Sequence, residues 1–198
     1  VAKGAAKIVL SDDNFATIVR AVEEGRLVYG NIQKLLLFLF ATSIDEVIIL
    51  IGALLLGYPL PLAAVQILWI NLVTEGTLTL NLVMEGAEGD EMNRKPVATH
   101  EPLITRSMLR RMAVMVPTSV VATLGYFIWR QSTNVPFGLV QTETFTLLAV
   151  CQWFNVLNCE SATASALRLG VFKNAWLLGG LVLANVLQLA VVYAAPLN

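Results

Sequence analysis

Long apolar stretches alternate with short polar segments along the chain after residue 34. Each stretch is about 18–23 residues long, which as a helix is enough to cross about 30 Å of hydrocarbon. Helices are the expected form because lipid offers no partner to open backbone N–H and C=O groups. The pattern predicts five membrane spans, at residues 35–57, 62–84, 112–129, 145–167 and 176–195.

The segment before the first predicted span is more polar than the rest of the chain. Asn14 and the acidic residues before it can cap free N–H groups at a helix start, and apolar residues recur at helical spacing from Phe15 onward. Gly25 is expected to bend or break this helix. The segments together predict an all-α membrane protein, a bundle of about five transmembrane helices with a short cytoplasmic N-terminal segment.

Basic residues are distributed unevenly among the predicted loops. All of them except Arg130 lie in residues 1–34, in residues 94–111 or in residues 168–173. These segments fall on one side of a bundle with five spans, and an excess of Lys and Arg marks the cytoplasmic side. The pattern predicts a multi-pass integral membrane protein with a cytoplasmic N-terminus and a C-terminus on the opposite side.

The composition also indicates a membrane protein. Hydrophobic residues make up 57% of the sequence and charged residues 14%, whereas soluble domains are about half apolar with about a quarter charged residues. The formal net charge of −1 leaves no basic surplus of the kind that nucleic-acid binding requires, so we expect no nucleic-acid partner. The two cysteines are too few for a disulfide scaffold.

Polar and acidic residues interrupt three of the predicted spans. Each ionised side chain near the middle of a bilayer costs on the order of 2.5–3.5 kcal/mol on insertion scales, so a compensating interaction is expected. Side chains three or four residues apart share one helix face. Such faces are formed by Ser43 with Glu46, by Asn71 with Thr74 and Glu75, and by Gln152 with Asn155.

These faces predict a site for a transported cation. Hard cations bind several carboxylate, amide, hydroxyl or carbonyl oxygens, and Gly76 would loosen the helix so that backbone carbonyls could also contribute. Interhelical hydrogen bonding that holds the bundle together is the alternative explanation. The candidate ligands are Ser43, Glu46, Asn71, Thr74, Glu75 and Gln152, with Asp45 and Asn155 as further candidates.

Asp45 stands apart from the other candidates. It precedes Glu46 directly and therefore points about 100° away from it around the helix axis. Three roles are open for this carboxyl group: it carries a proton, it serves as a second ligand, or it pairs with another helix.

Three runs of sequence carry a resemblance to a known family. The run Gln-Ile-Leu-Trp-Ile-Asn-Leu-Val-Thr-Glu-Gly at residues 66–76 resembles the signature of the sixth membrane helix of P-type cation-transporting ATPases, and residues 41–47 resemble their fifth helix. Residues 1–19 are similar to the end of their phosphorylation domain, and the calcium-pump-like branch is the most similar. The resemblance implies a domain tail at residues 1–25 and a transmembrane transport domain at residues 26–198.

The resemblance also implies chemistry. Members of the family couple ATP hydrolysis to cation transport through an aspartyl phosphate, and residues 1–198 match neither the phosphorylation motif nor the nucleotide domain. No catalytic residue is therefore expected here, and Mg²⁺ and ATP belong to the missing N-terminal half of the pump. Glu46, Asn71 and Thr74 match calcium-pump ligands, whereas Ser43 stands where these pumps carry Asn, Glu75 replaces Asp, and Gln152 stands where two-calcium pumps carry Glu.

The leading hypothesis is that the chain is the C-terminal transmembrane portion of an ATP-driven cation pump in the lipid bilayer. Calcium is the favoured ion because oxygen ligands suit Ca²⁺, Mg²⁺ or Mn²⁺ and disfavour copper or zinc; sodium, potassium and protons remain open, as does the stoichiometry. A passive cation channel or carrier is one alternative. A non-catalytic membrane fragment that acts like a regulatory subunit is another.

Overall fold

The computed structural model describes residues 9, 14–84, 86, 89, 91–93, 102–160 and 175–193. Every regular element in these residues is helical, which confirms the predicted all-α class. The longest helix, α1, is Phe15–Leu55. A shorter helical region at residues 64–83, which contains α2 and α3, comes next, and Glu91–Asn93 form one turn of 3₁₀-helix. The remaining helices are α4 (Arg106–Gln131), α5 (Phe137–Cys159) and α6 (Ala175–Tyr193).

Helix α1 begins where the sequence predicts and then continues further than predicted. The Asn14 side chain accepts a hydrogen bond from the backbone N–H of Ala16 at 3.0 Å. Of the bend or break expected at Gly25, the break is absent, because the helix runs through this residue without interruption. A glycine costs a helix only about 1 kcal/mol relative to alanine, and the residues around Gly25 are mostly good helix formers. At about 1.5 Å per residue α1 is about 60 Å long, about twice the hydrocarbon thickness.

The region of the second predicted span consists of three consecutive helical pieces. These are α2 (Ala64–Trp69), one turn of π-helix (Ile70–Thr74) and α3 (Glu75–Val83). The backbone N–H of Glu75 bonds to the carbonyl of Ile70, five residues back, which is the wide spacing of a π-turn. The departure from regular helix thus precedes Gly76, which itself lies inside α3.

Three of the described helices are long and apolar enough to cross a membrane: α1, α4, and α6 over Trp176–Tyr193. The other two predicted spans correspond to residues 64–83 and to α5, which carry several of the polar residues singled out above. Helix α5 begins at Phe137, eight residues before the predicted span 145–167. The count of five spans remains a prediction, as does the domain boundary at residues 25–26, which falls inside α1.

Two apolar clusters pack the helices together at different heights. The first cluster lies nearer the N-terminal end of α1 and includes Phe38 of α1, Leu78 of α3 and Met112 of α4. The second cluster lies nearer the C-terminal end of α1 and includes Ile49 of α1 and Ile70 of the π-turn, together with residues of α5. Each helix that contributes to both clusters carries polar residues between its two apolar segments. The fold therefore places a layer of polar residues between the two apolar clusters.

A candidate cation site between two apolar clusters

Nine buried polar residues lie between the two apolar clusters along α1, the π-turn with α3, α4 and α5. We call this group the polar layer, and each of its members is at most 7% exposed. Its members are Thr42, Asp45, Glu46, Thr74, Glu75, Ser119, Thr123, Gln152 and Asn155. Burial between apolar layers removes water, so these groups must satisfy one another or a bound ligand.

Glu46 joins three helical segments within the polar layer. The Asn71 side chain, on the π-turn, donates a hydrogen bond from Nδ2 to Glu46 Oε2 at 2.9 Å. The Gln152 side chain, on α5, donates from Nε2 to Glu46 Oε1 at 3.3 Å. Three residues that the sequence predicted as ligands are therefore in direct contact, although their positions in the chain lie up to 106 residues apart.

Glu75 carries another carboxylate of the layer. It is 4% exposed, and its neighbours include the Thr42 hydroxyl and the Glu46 carboxylate, with which it interacts electrostatically. The π-turn that precedes Glu75 carries Thr74 into the same layer, where this side chain is 2% exposed. The two glutamates thus face a shared interior and not separate regions of solvent.

Several polar atoms in this interior have no hydrogen-bond partner among the described residues. They include Glu75 Oε1, Gln152 Oε1 and Asp45 Oδ1, which are all acceptors, and Asn155 Nδ2. An unpaired buried polar group costs about 1–3 kcal/mol. Oxygens collected in one dry layer are the groups that a dehydrated cation would pair with.

Two of the predicted ligands lie at the surface of the described part of the chain. Ser43 is exposed on α1, and no hydrogen bond from its side chain to Glu46 is present. Asn71 is also exposed, although it donates to both Glu46 and the backbone carbonyl of Ile67. The layer is therefore closed on the side of α4 and α5 and open next to Ser43 and Asn71.

Asp45 takes a different direction from Glu46, as its position on the helix requires. Its side chain is fully buried and accepts a hydrogen bond at Oδ2 from the Ser119 hydroxyl of α4. The Thr123 hydroxyl, one turn further along α4, lies 4.0 Å from Cys151 Sγ. Asp45 therefore contacts another helix. This is one of the three roles that the sequence left open for it.

Thr42, Ser119 and Thr123 belong to the layer although they are not among the predicted site residues. Thr42 lies four residues before Glu46, and Ser119 and Thr123 are also four apart, so the same face rule would have found them. Hydroxyl residues are common in membrane helices, so a Ser or Thr is by itself a weak signal of a polar site. Among the described residues no three His, Cys, Asp or Glu side chains form a metal-binding group. The layer offers the carboxylates of Glu46 and Glu75, supplemented by amides and hydroxyls, while the Asp45 carboxyl group contacts Ser119.

Comparison with known proteins gives consistent matches. Residues 59–198 match a protein family described as "Cation transporting ATPase, C-terminus". The whole chain is 39% identical to a "Calcium-transporting ATPase" of Bacillus subtilis and covers 22% of that protein. It is 37% identical to a "Probable cation-transporting ATPase F" of Mycobacterium tuberculosis, again over the whole chain and 22% of the relative.

A plant protein shows the same pattern at lower identity. The chain is 32% identical to "Calcium-transporting ATPase 3, endoplasmic reticulum-type" of Arabidopsis thaliana, over the whole chain and 22% of that protein. The chain therefore spans about a fifth of the length of the relatives that it matches.

Proposed function

The chain belongs to the P-type cation-transporting ATPases, as a C-terminal region of that family, and from this premise we propose that it provides the ion-binding membrane part of an ATP-driven cation pump. In this proposal Glu46 and Glu75 are the charged ligands of the transported ion. Thr74, Gln152 and Asn71 add hydroxyl and amide oxygens around them.

The observation that carries the proposal is the pair of buried carboxylates beside unpaired oxygens in the polar layer. Hydrogen bonds that hold helices together account for the amide groups that Asn71 and Gln152 donate to Glu46. They do not account for Glu75 Oε1 and Gln152 Oε1, which have no partner among the described residues. A cation between the two glutamates would satisfy both oxygens and offset the repulsion of the carboxylates.

Calcium is the ion that this donor set fits best. The ligands are oxygens only, and Ca²⁺ accepts six to eight of them in a flexible arrangement. Soft metals such as copper would favour Cys or His ligands. Two of the relatives named above are calcium-transporting ATPases. Gln152 contributes an amide and no further carboxylate, and the third carboxyl group of the layer, Asp45, accepts a hydrogen bond from Ser119. This favours a site of lower charge and a single calcium ion.

The open side of the layer is where the rest of the pump completes the site. Ser43 and Asn71 are exposed there, and the chain covers only 22% of its relatives. Segments of the parent protein outside this region supply the remaining ligands in our proposal. In the described part of the chain Ser43 has no hydrogen bond to Glu46. In our proposal it becomes a ligand when those segments pack beside it.

Helix α1 connects the site to the cytoplasmic part of the parent. Glu46 lies about 46 Å along the helix from Phe15, at about 1.5 Å per residue. A continuous helix of this length transmits a displacement at its cytoplasmic end to the polar layer. We propose that the hydrolysis of ATP, with Mg²⁺, in the parent's other domains acts on the ion site through this helix.

The experiment is neutralisation of each glutamate in the complete parent pump. Glu46→Gln and Glu75→Gln should each raise the calcium concentration for half-maximal ATP-dependent uptake into membrane vesicles by about a hundredfold or more. Loss of a charged ligand should exceed the 10–100-fold effect that is usual for outer-shell changes.

Glu143→Gln is the matched control. It also removes a carboxylate from a helix, but Glu143 is paired with Arg130 at 2.6 Å, outside the polar layer. Its calcium dependence should stay near that of the unmodified pump. Normal calcium dependence in both layer variants would overturn the proposal.

A further inference from the structure

Asp45 and Glu46 are neighbours on α1 that contact different helices. Glu46 accepts hydrogen bonds from Asn71 of the π-turn and Gln152 of α5. Asp45 accepts one from Ser119 of α4. Because consecutive residues project about 100° apart, the two contacts constrain the rotation of α1 about its own axis from two directions.

The Asp45–Ser119 contact lies in a tightly packed boundary between α1 and α4. Asp45 is fully buried and Ser119 is 4% exposed. A Cβ atom on Gly52, two turns beyond Asp45, would come to 3.0 Å from Leu124 Cδ2 of α4. Phe127 of α4 is fully buried near Ala53 of α1. A hydrogen bond to a carboxyl group in such a dry boundary has no water to replace it, so its loss leaves the acceptor unsatisfied.

Asp45 also depends on Ser119 more than Glu46 depends on either of its partners. Its other oxygen, Oδ1, has no hydrogen-bond partner among the described residues. Glu46 has a donor on each carboxylate oxygen. Ser119 is therefore the one described hydrogen-bond donor that fixes the side-chain conformation of Asp45.

We propose that Ser119 is a positioning residue for ion binding: through Asp45 it holds α1 in the rotation that directs Glu46 at Asn71 and Gln152. The inference rests on the proposed function, in which Glu46 is a ligand. Ser119 itself does not touch the ion in this account. Helix α4 then affects ion affinity although it supplies no ligand.

The test is Ser119→Ala in the complete parent pump, measured as calcium-dependent uptake into vesicles. Loss of the donor should raise the half-saturating calcium concentration about tenfold, the factor that corresponds to one hydrogen bond to a carboxylate. The maximal rate at saturating calcium should stay near that of the unmodified pump, because the ligands themselves are intact. Ser119→Thr keeps the hydroxyl and should restore the original affinity.

Thr118→Val is the matched control. Thr118 precedes Ser119 directly, is exposed, and donates its hydroxyl hydrogen bond to the Val114 carbonyl of its own helix at 2.7 Å. Its removal should leave the calcium dependence unchanged. If Ser119→Ala does not accumulate in the membrane, Ser119→Cys, which has a weak donor of similar size, should give a smaller shift in the same direction.

A double-mutant cycle tests whether Ser119 acts through Asp45. In an Asp45→Ala background, Ser119→Ala should cause no further loss of affinity, since the contact is already gone. Additive effects, or an unchanged half-saturating concentration in Ser119→Ala, would overturn the inference. Normal calcium dependence of both Glu46→Gln and Glu75→Gln would instead overturn the proposed function, so the two failures are distinguishable.

Discussion

Gln152 shows how one side chain can serve two purposes in the polar layer. Its amide nitrogen donates to Glu46 at 3.3 Å, and its amide oxygen has no partner among the described residues. The side chain is fully buried. It can therefore support the Glu46 carboxylate and present an oxygen to a cation in one conformation.

Replacing Gln152 by leucine should weaken calcium binding about tenfold in the parent pump, because Glu46 loses a hydrogen bond and the site loses an oxygen. The measurement is the half-saturating calcium concentration for ATP-dependent uptake. Gln141→Leu is the control, since Gln141 bonds to the Leu60 carbonyl outside the layer. Equal calcium dependence of the two variants would contradict the role assigned to Gln152.

Part of the polar layer could be predicted from the sequence. A buried environment for Glu46 and Glu75 could be predicted, because an ionised side chain within a membrane span needs polar partners. The contact between Asp45 and Ser119 could not be predicted in this way. It depends on how far α1 and α4 slide past each other, and the pattern within a single helix carries no information about that.

At the scale of elements, the π-turn is the feature that periodicity alone does not reveal. The apolar pattern of residues 62–84 predicts one helix, and the structure contains a wide turn at Ile70–Thr74 within the helical region. An added residue per turn changes the direction in which Asn71 and Thr74 project. In α1 the structure is more regular than a break at Gly25 would have made it, since the helix is continuous through that residue.

Helix α6 packs against α3 through a close approach at Gly180. A Cβ atom there would overlap the side chain of Asn81, whose amide already bonds to the Thr77 carbonyl of its own helix. Gly180→Ala should lower the stability of the membrane region by about 1 kcal/mol, because the Asn81 side chain must turn away and lose that hydrogen bond. The thermal unfolding temperature of the purified parent pump in detergent is the measurement.

The neighbouring glycine is a matched control for this packing. A Cβ atom on Gly179 would meet no atom within 4 Å. Gly179→Ala should therefore leave the unfolding temperature unchanged or raise it slightly, because alanine favours helix. A similar decrease for both variants would show that the close approach of α6 and α3 is not what limits stability.

At the scale of the whole molecule, the apolar clusters above and below the polar layer shield the two glutamates from water on those two sides, and the layer is open next to Ser43 and Asn71. Such isolation strengthens the attraction between carboxylates and a cation, and it makes the empty, doubly ionised state costly. The basic loops predict a cytoplasmic N-terminus, which would place the cytoplasmic end of α1 beside the pump's other domains. Cation binding and its coupling to the other domains would then use different parts of α1.

The central claim is that Glu46 and Glu75 bind the same cation. The most direct measurement is the anomalous diffraction signal of calcium in crystals of the complete parent pump grown with Ca²⁺. We predict a peak about 2.3–2.6 Å from a carboxylate oxygen of each glutamate, the usual calcium–oxygen distance. A calcium peak elsewhere in the membrane region, with neither glutamate in its coordination shell, would contradict the account.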